Sequence, residues 1–426
     1  MWEVLYLLTI VFTLWLQMMN NRSWSRLLAG TPFARIWFGQ TVSGSGDSVL
    51  QVALMWSIWV QTSNPLSVGL LIFVFIAPNA LAGPLLGTFV DFHSKKVLMF
   101  VSLILQGLVS LAVALIFVLS LVPNALTAIY LLLFLLSMLA RIFFLSFFAS
   151  VPNLVDKTDL MGANSLLSIS GNANYIAGFS IGGIIVSILG PEIPIVYDSL
   201  TFFFAALMIL SVSRASVDGI IKPESITPRS RPTLEGFKRI ANDKLVMSLT
   251  LTMTALSFLG MSFYLFVIVG IEQIENNPVY LGLSIALLSV GEIVGSVLIA
   301  RWNPRHIPGR VIVSGIVIGG FVCLTLSISP YLLLDLVLIG AFGCTVAMAN
   351  ISIDSLLQAG IPSSEIGRVM GSGSVMWSVA GPVGSLFGAF MLERFTLEPS
   401  LILVGILFVL VAIGASLSRS LLHSRY

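Results

Sequence analysis

Three ionisable residues, Asp47, Arg141 and Glu292, lie in stretches that are otherwise apolar. They are the residues best placed to do chemistry. A charge at the centre of a bilayer costs at least about 2.5–3.5 kcal/mol on insertion scales, so each needs a partner, a wet cavity or a bound proton. Asp47 falls within Ser43-Gly-Ser-Gly-Asp47-Ser48, whose small polar residues let helices approach closely. It reads as a substrate or proton site, or as an ion pair or cap between packed helices. Arg141, in Leu139-Ala-Arg141-Ile-Phe-Phe, keeps its charge at ordinary pH and needs an acid or a polar cavity. Glu292 lies in Leu288-Ser-Val-Gly291-Glu292-Ile-Val-Gly295, and the apolar runs of the C-terminal half hold no basic residue to pair with it. An unpaired carboxyl there suits proton coupling or capture of a cation. The structural alternative is a permanently protonated acid bonded to a backbone carbonyl. Asp198 and Asp335 read as nearer the outer ends of their spans, facing a vestibule or bonding at helix ends.

The elements that must carry these residues are set by composition. Of 426 residues 57% are apolar and only 9% charged, with a mean hydropathy of +1.03. Soluble domains carry about 25% charged residues, so this chain is suited to a lipid-facing surface. A net charge of +2 with no basic tract excludes nucleic acid as a partner. Cys323 and Cys344 both fall in apolar runs, which argues against a disulfide framework or a metal site. No cofactor is expected.

Crossing a bilayer takes about 20 apolar residues. Such runs occur at 33–60, 66–90, 97–121, 126–149, 167–189, 194–213, 245–270, 279–300, 311–328, 332–353, 370–391 and 399–418. Alternation at period two, the mark of a membrane β-barrel, is absent. The fold class is therefore an all-α membrane protein of twelve transmembrane helices. The chain divides into a lead at 1–32, an N-terminal six-helix bundle at 33–213, a linker at 214–244 containing Pro223, Pro228 and Pro232, a C-terminal bundle at 245–418 and a tail at 419–426. With both ends cytoplasmic, nineteen of the 21 Lys and Arg lie in cytoplasmic loops or at the two ends, which is the positive-inside pattern. Glu192, Glu272, Glu275, Glu393 and Glu398 then fall in outer loops. The apolar stretch 4–18 lacks a basic lead and a cleavage site; a thirteenth span is one reading, and a natural start at Met18 or Met19 is the preferred expectation.

The halves repeat. Pro152-Asn-Leu-Val-Asp-Lys-Thr-Asp-Leu-Met-Gly162 follows the fourth span and Pro362-Ser-Ser-Glu-Ile-Gly-Arg-Val-Met-Gly371 the tenth; Ala177-Gly178 and Ala380-Gly381 lie in the spans after them. Solute transporters are often built from such repeats. After the second span the chain reads Gly87-Thr-Phe-Val-Asp91-Phe-His-Ser-Lys95-Lys96. Two six-span halves with this loop resemble the major facilitator superfamily and its Gly-x3-Asp-x3-basic-basic signature; Phe92 and Ser94 depart from the arginine and glycine common there. Gly46-Asp47, the segment from Pro152 to Asn164, Asp198, Leu234-Glu-Gly-Phe-Lys-Arg239 and Pro362-x4-Gly367-Arg368-Val-Met370 resemble the branch holding macrolide-efflux proteins and enterobactin exporters.

The resemblance implies a fold of two bundles rocking about a central site. It implies that Asp47 and Arg141 are partners, because the first and fourth spans border the central cavity. It also implies that Gly87, Asp91, Lys95 and Lys96 form a charge network latching the halves. Gly178, Gly182, Gly381 and Pro382 are then packing or hinge positions, with Asn164, Asp198 and Arg368 in supporting roles. Antiporters of the superfamily often have Gly-Pro in the fifth span; this chain has Gly178-Phe179 there and Gly381-Pro382 in the eleventh. No Gly-x4-Gly-Lys-Ser/Thr loop is present, so an ion gradient rather than ATP hydrolysis is the expected energy source. The expected activity is export of hydrophobic or amphipathic small molecules, drug- or macrolide-like, in exchange for protons, by a monomer in the cell membrane. The alternatives are a dedicated exporter of one metabolite, such as a siderophore or lysolipid, and a transporter-shaped sensor or scaffold. The three histidines, His93, His306 and His423, lie in loops or the tail, and no nucleophile–base grouping points to an enzyme.

Overall fold

A polypeptide in lipid must satisfy its own backbone hydrogen bonds, which leaves an apolar chain of this kind the helix. In the computed structural model, which describes residues 27–119, 122–156, 159–218, 232–275, 277–302, 307–361, 366–418 and Leu421, the secondary structure is helical. The first half contains α1 (Pro32–Thr62), α2 (Pro65–Asp91), α3 (Lys95–Val118), α4 (Val122–Leu154), α5 (Leu160–Leu189) and α6 (Glu192–Leu210). Two short helices, α7 (Arg214–Asp218) and α8 (Pro232–Asn242), lie in the linker. The second half contains α9 (Lys244–Glu275), α10 (Pro278–Trp302), α11 (Pro308–Leu326), α12 (Leu332–Gly360), α13 (Ile366–Arg394) and α14 (Leu397–Leu417). Ten of the twelve long helices are apolar enough to cross a membrane by length and composition. The other two are α1, diluted by its serines, glycines and Asp47, and α2, whose described apolar stretch is Pro65–Pro78.

Side-chain caps start several of these helices. Asn64 Oδ1 accepts from Leu66 N at 2.8 Å ahead of α2, and Asn277 Oδ1 accepts from Val279 N at 2.9 Å ahead of α10. Each Asn stands before a Pro at the first helical position, where a missing N–H costs nothing. These are matching places in the two halves, a repeat that the sequence comparison overlooked. Asp243 Oδ1 caps α9 in the same way, accepting from Leu245 N at 3.0 Å.

The chain forms two compact units. The N-terminal unit holds Met1–Gln61, Leu81–Pro223 and Asn277–Ala286; the C-terminal unit holds Thr62–Ala80, Glu224–Asn276 and Leu287–Tyr426. In this grouping α2 and α10 each contribute to both units. The cause is close helix packing. In the C-terminal unit a Cβ on Gly69 of α2 would lie 3.1 Å from the Ser385 carbonyl oxygen, and Ser385 Oγ donates to Gly69 O at 3.3 Å. In the N-terminal unit a Cβ on Gly282 of α10 would overlap the Phe179 carbonyl oxygen of α5. Within the N-terminal unit α3 packs on α4 and α6; within the C-terminal unit α9 packs on α13, and α11 on α12 and α14. Because successive spans reverse, helix ends alternate between the linker side and the far side.

Candidate functional site

In the N-terminal unit the acid of α1 meets a second acid. Gly46 allows α6 to approach: a Cβ there would lie 2.9 Å from Asp198 Oδ1 and 3.1 Å from Asp198 Cα. Asp198 is 0% exposed. Ser110 Oγ of α3 donates to its Oδ2 at 2.7 Å, while Oδ1 has no partner among the described residues. The neighbouring Asp47, half-buried, interacts electrostatically with Asp198. Ser45 Oγ and Tyr197 Oη, 3.0 Å apart, join the same two helices. The expected Asp47–Arg141 pair is not formed. Arg141 makes no ion pair among the described residues; its guanidinium lies 5.3 Å from the Phe144 ring centre, one turn along α4, and its Nε is unpartnered. Asp198 also faces no vestibule; it is a buried, hydrogen-bonded group.

The glycines expected to pack helices do so within each unit. A Cβ on Gly178 would overlap Ser48, and one on Gly182 would lie 3.1 Å from Val49 Cα, which seats α5 on α1. Gly381 seats α13 on α9, where a Cβ would lie 3.2 Å from Ser257 Oγ; Pro382 follows it, buried inside α13. Asn164 is exposed near the start of α5.

The signature loop forms a helix cap on the linker side. Ser94 caps α3, and Asp218 of α7 reaches the same end. Asp218 accepts from Ser94 Oγ at 2.5 Å, Lys96 N at 3.2 Å and Arg214 Nε at 3.1 Å. Burial pushes its pKa up, but these donors and the Lys95 backbone N–H outweigh it and hold the carboxyl below the usual range. Lys95 Nζ donates to Ala149 O at 3.1 Å and Lys96 Nζ to Leu210 O at 3.5 Å. Leu210 ends α6, where a cation is favoured. Asn153 Nδ2 adds a bond to Val217 O at 3.1 Å. The side-chain bonds of Lys95 and Lys96 thus run to α4 and α6 of the N-terminal unit. The surroundings of Gly87 and the side chains of Asp91 and Arg368 are not described.

The C-terminal unit holds the cavity. Helices α10 and α12 cross backbone to backbone: a Cβ on Gly343 would overlap the Leu288 carbonyl oxygen and lie 3.3 Å from Glu292 N. The crossing places Glu292 on the wall of a cavity of about 250 Å³. Met253, Met261, Tyr264, Asn350 and Trp377 also line it, and no basic side chain does. Glu292 is exposed to this space and receives no side-chain hydrogen bond or ion pair among the described residues. The pocket thus combines one acid, aromatic rings, Tyr264 and Trp377 among them, of the kind whose faces attract a cation, and flexible methionines able to fit several shapes. A second cavity, of about 440 Å³, lies on the far side and is lined by Gln273, Asp335 and Glu398 among apolar groups.

Sequence reasoning misplaced one acid. Glu272, expected in an outer loop, is 2% exposed inside α9, and neither of its carboxyl oxygens has a partner among the described residues. The helix runs on to Glu275, so the five residues 271–275 that read as loop, two of them acids, continue α9. The extra length of the seventh apolar run, beyond what a bilayer needs, was the available signal.

A family model described as the Major Facilitator Superfamily matches residues 36–385. The chain belongs to that superfamily. Among its relatives, Macrolide efflux protein A of Streptococcus pyogenes is 23% identical over 89% of this chain and 94% of its own length. Enterobactin exporter EntS of Escherichia coli O1:K1 / APEC is 23% identical over 88% of each chain. Multidrug efflux pump Tap of Mycolicibacterium fortuitum is 21% identical over 90% and 95%. The fold is also that of a bacterial homologue of the iron transporter ferroportin in its inward-facing state, with a TM-score of 0.71 at 15% identity, covering 90% of this chain and 98% of that one. Nucleoside transporter NupG gives a TM-score of 0.71 at 12% identity, covering 91% and 98%. The protein is a multi-pass membrane transporter, and not an enzyme.

Proposed function

We propose that the protein exports hydrophobic or amphipathic small molecules in exchange for protons, with the linker side in the cytoplasm. The observation that carries this reading is the Glu292 cavity: an acid with no counter-charge, set among Trp377, Tyr264, Met253 and Met261. Such a wall accepts an apolar body, and its acid holds either a proton or the substrate's cationic group. Loading one therefore expels the other, which is the competition an exchanger needs. The names of the relatives, a macrolide efflux protein, an enterobactin exporter and a multidrug efflux pump, support export as the direction. The apolar, methionine-bearing lining favours a range of drug-like molecules over a single highly polar metabolite.

Uptake into inverted membrane vesicles, with and without an imposed pH gradient, tests the reading. Gradient-driven uptake supports exchange, and absence of flux for every member of a drug panel would leave a scaffold instead.

A further inference from the structure

Glu272 has no part in that scheme, and its surroundings set it apart. It lies three residues from the end of α9, on the face formed by Leu265, Ile268 and Val269, each 0% exposed. Glu272 itself is 2% exposed, with both oxygens unpartnered among the described residues. At 3.6 residues per turn it points the same way as Leu265, whose Cδ2 would lie 3.6 Å from a Cβ on Gly69 of α2. It points away from Val267, Gly270 and Ile274, which line the far-side cavity.

The charged groups around it are few. The α2 segment 62–80 contains no titratable residue. Helix α13 ends in Glu393 and Arg394, both exposed, with Arg394 stacked 5.7 Å from the Phe390 ring centre. Asp335 of α12 and Glu398 of α14 line the cavity on the opposite face. Glu292 of α10 lines the other cavity with residues no nearer than Tyr264, about 12 Å along the axis of α9. The charges of α8 lie at the Lys244 end.

A buried carboxylate with no donor is far costlier than the neutral acid. The two forms therefore favour different packings of the same helix ends. We propose that Glu272 is a second proton-binding group, and that the far ends of α2, α9 and α13 close over it only once it has taken a proton from outside. The proton passes from external water to one carboxyl oxygen as the ends close, and returns to that water as they part; none crosses the membrane here. The word "outside" rests on the orientation proposed above.

The test is the distance between spin labels at Ser63 and Phe395, both exposed at the far ends of α2 and α13. The labels are carried on the full chain in lipid nanodiscs, with Cys323 and Cys344 changed to Ala, without substrate or gradient. In the otherwise wild-type protein the close-to-separated ratio should rise as pH falls from 8 to 5, by up to about tenfold per unit for one linked proton. Glu272→Gln, and Glu272→Met as a second neutral variant, should stay close at every pH, while Glu272→Asp and Glu292→Gln should keep the response. A wild-type protein with no pH response, or a neutral variant that keeps it, overturns the proposal. Failure of the exchange reading is separate, because it shows as missing gradient-driven uptake while this response persists.

Discussion

In the N-terminal unit Asp198 is shut from solvent yet receives Ser110, and Asp218 receives Ser94, Arg214 and two backbone N–H groups. In the C-terminal unit Glu272 is about as deeply buried with neither oxygen bonded, and Glu292 opens onto a cavity with no cation. The fold repeats, but the acids do not have the same surroundings. Where donors surround a carboxyl, removing a donor should cost stability; where none do, removing the carboxyl should cost function and leave stability alone. This contrast separates structural from working acids better than depth in the membrane does, since Asp198 and Glu272 are both almost fully buried.

The largest stability effect is expected at Ser110. Ser110→Ala strands Asp198 Oδ2 in a fully buried place and should cost about 1–3 kcal/mol, read as a lower apparent unfolding temperature in detergent. A neutral result would mean that the Asp198 bond is incidental, and would remove half of the contrast.

The next effect is at the α3 cap. Ser94→Ala should cost about 1 kcal/mol. The same network has a pH signature. The folded Asp218 carboxyl sits below its ordinary range, so its contribution is fully present above the unfolded value of about 3.9 and is lost as pH falls through the lower folded value. Unfolding temperature should therefore be insensitive to this group between pH 8 and 5 and should drop below about pH 4. Asp218→Asn should flatten that drop, and an unchanged acid limb would show that the carboxylate does not hold the cap.

The smallest stability effect is expected at Glu272. Glu272→Met replaces an unbonded acid by an apolar chain of similar length and should leave the unfolding temperature equal or slightly higher. A loss as large as that of Ser110→Ala would mean that Glu272 is structural, and the contrast would fail.

The apolar runs of the sequence revealed the twelve long helices and, against that background, Glu292. A single acid in an apolar helix is visible because the bilayer tolerates so few. Asp47 was visible for the same reason, but its neighbour was not, because which helix faces Gly46 depends on rotations that apolar sequence does not encode. Arg141 was assigned Asp47 as a partner through the family resemblance; in the structure it lies against Phe144, a neighbour one turn away on α4. Glu272 was lost to the opposite error, since acids near the end of an apolar run read as loop when the helix in fact continues to Glu275. The role of Asp218 was hidden because a five-residue helix in a polar linker has no periodicity to detect.

The most direct test of the account is gradient-driven uptake of a labelled macrolide into inverted vesicles carrying wild-type protein or Glu292→Gln at matched membrane levels. The account predicts that an imposed pH gradient accelerates uptake by the wild type and leaves the variant at its rate without a gradient. Equal acceleration in both would contradict it.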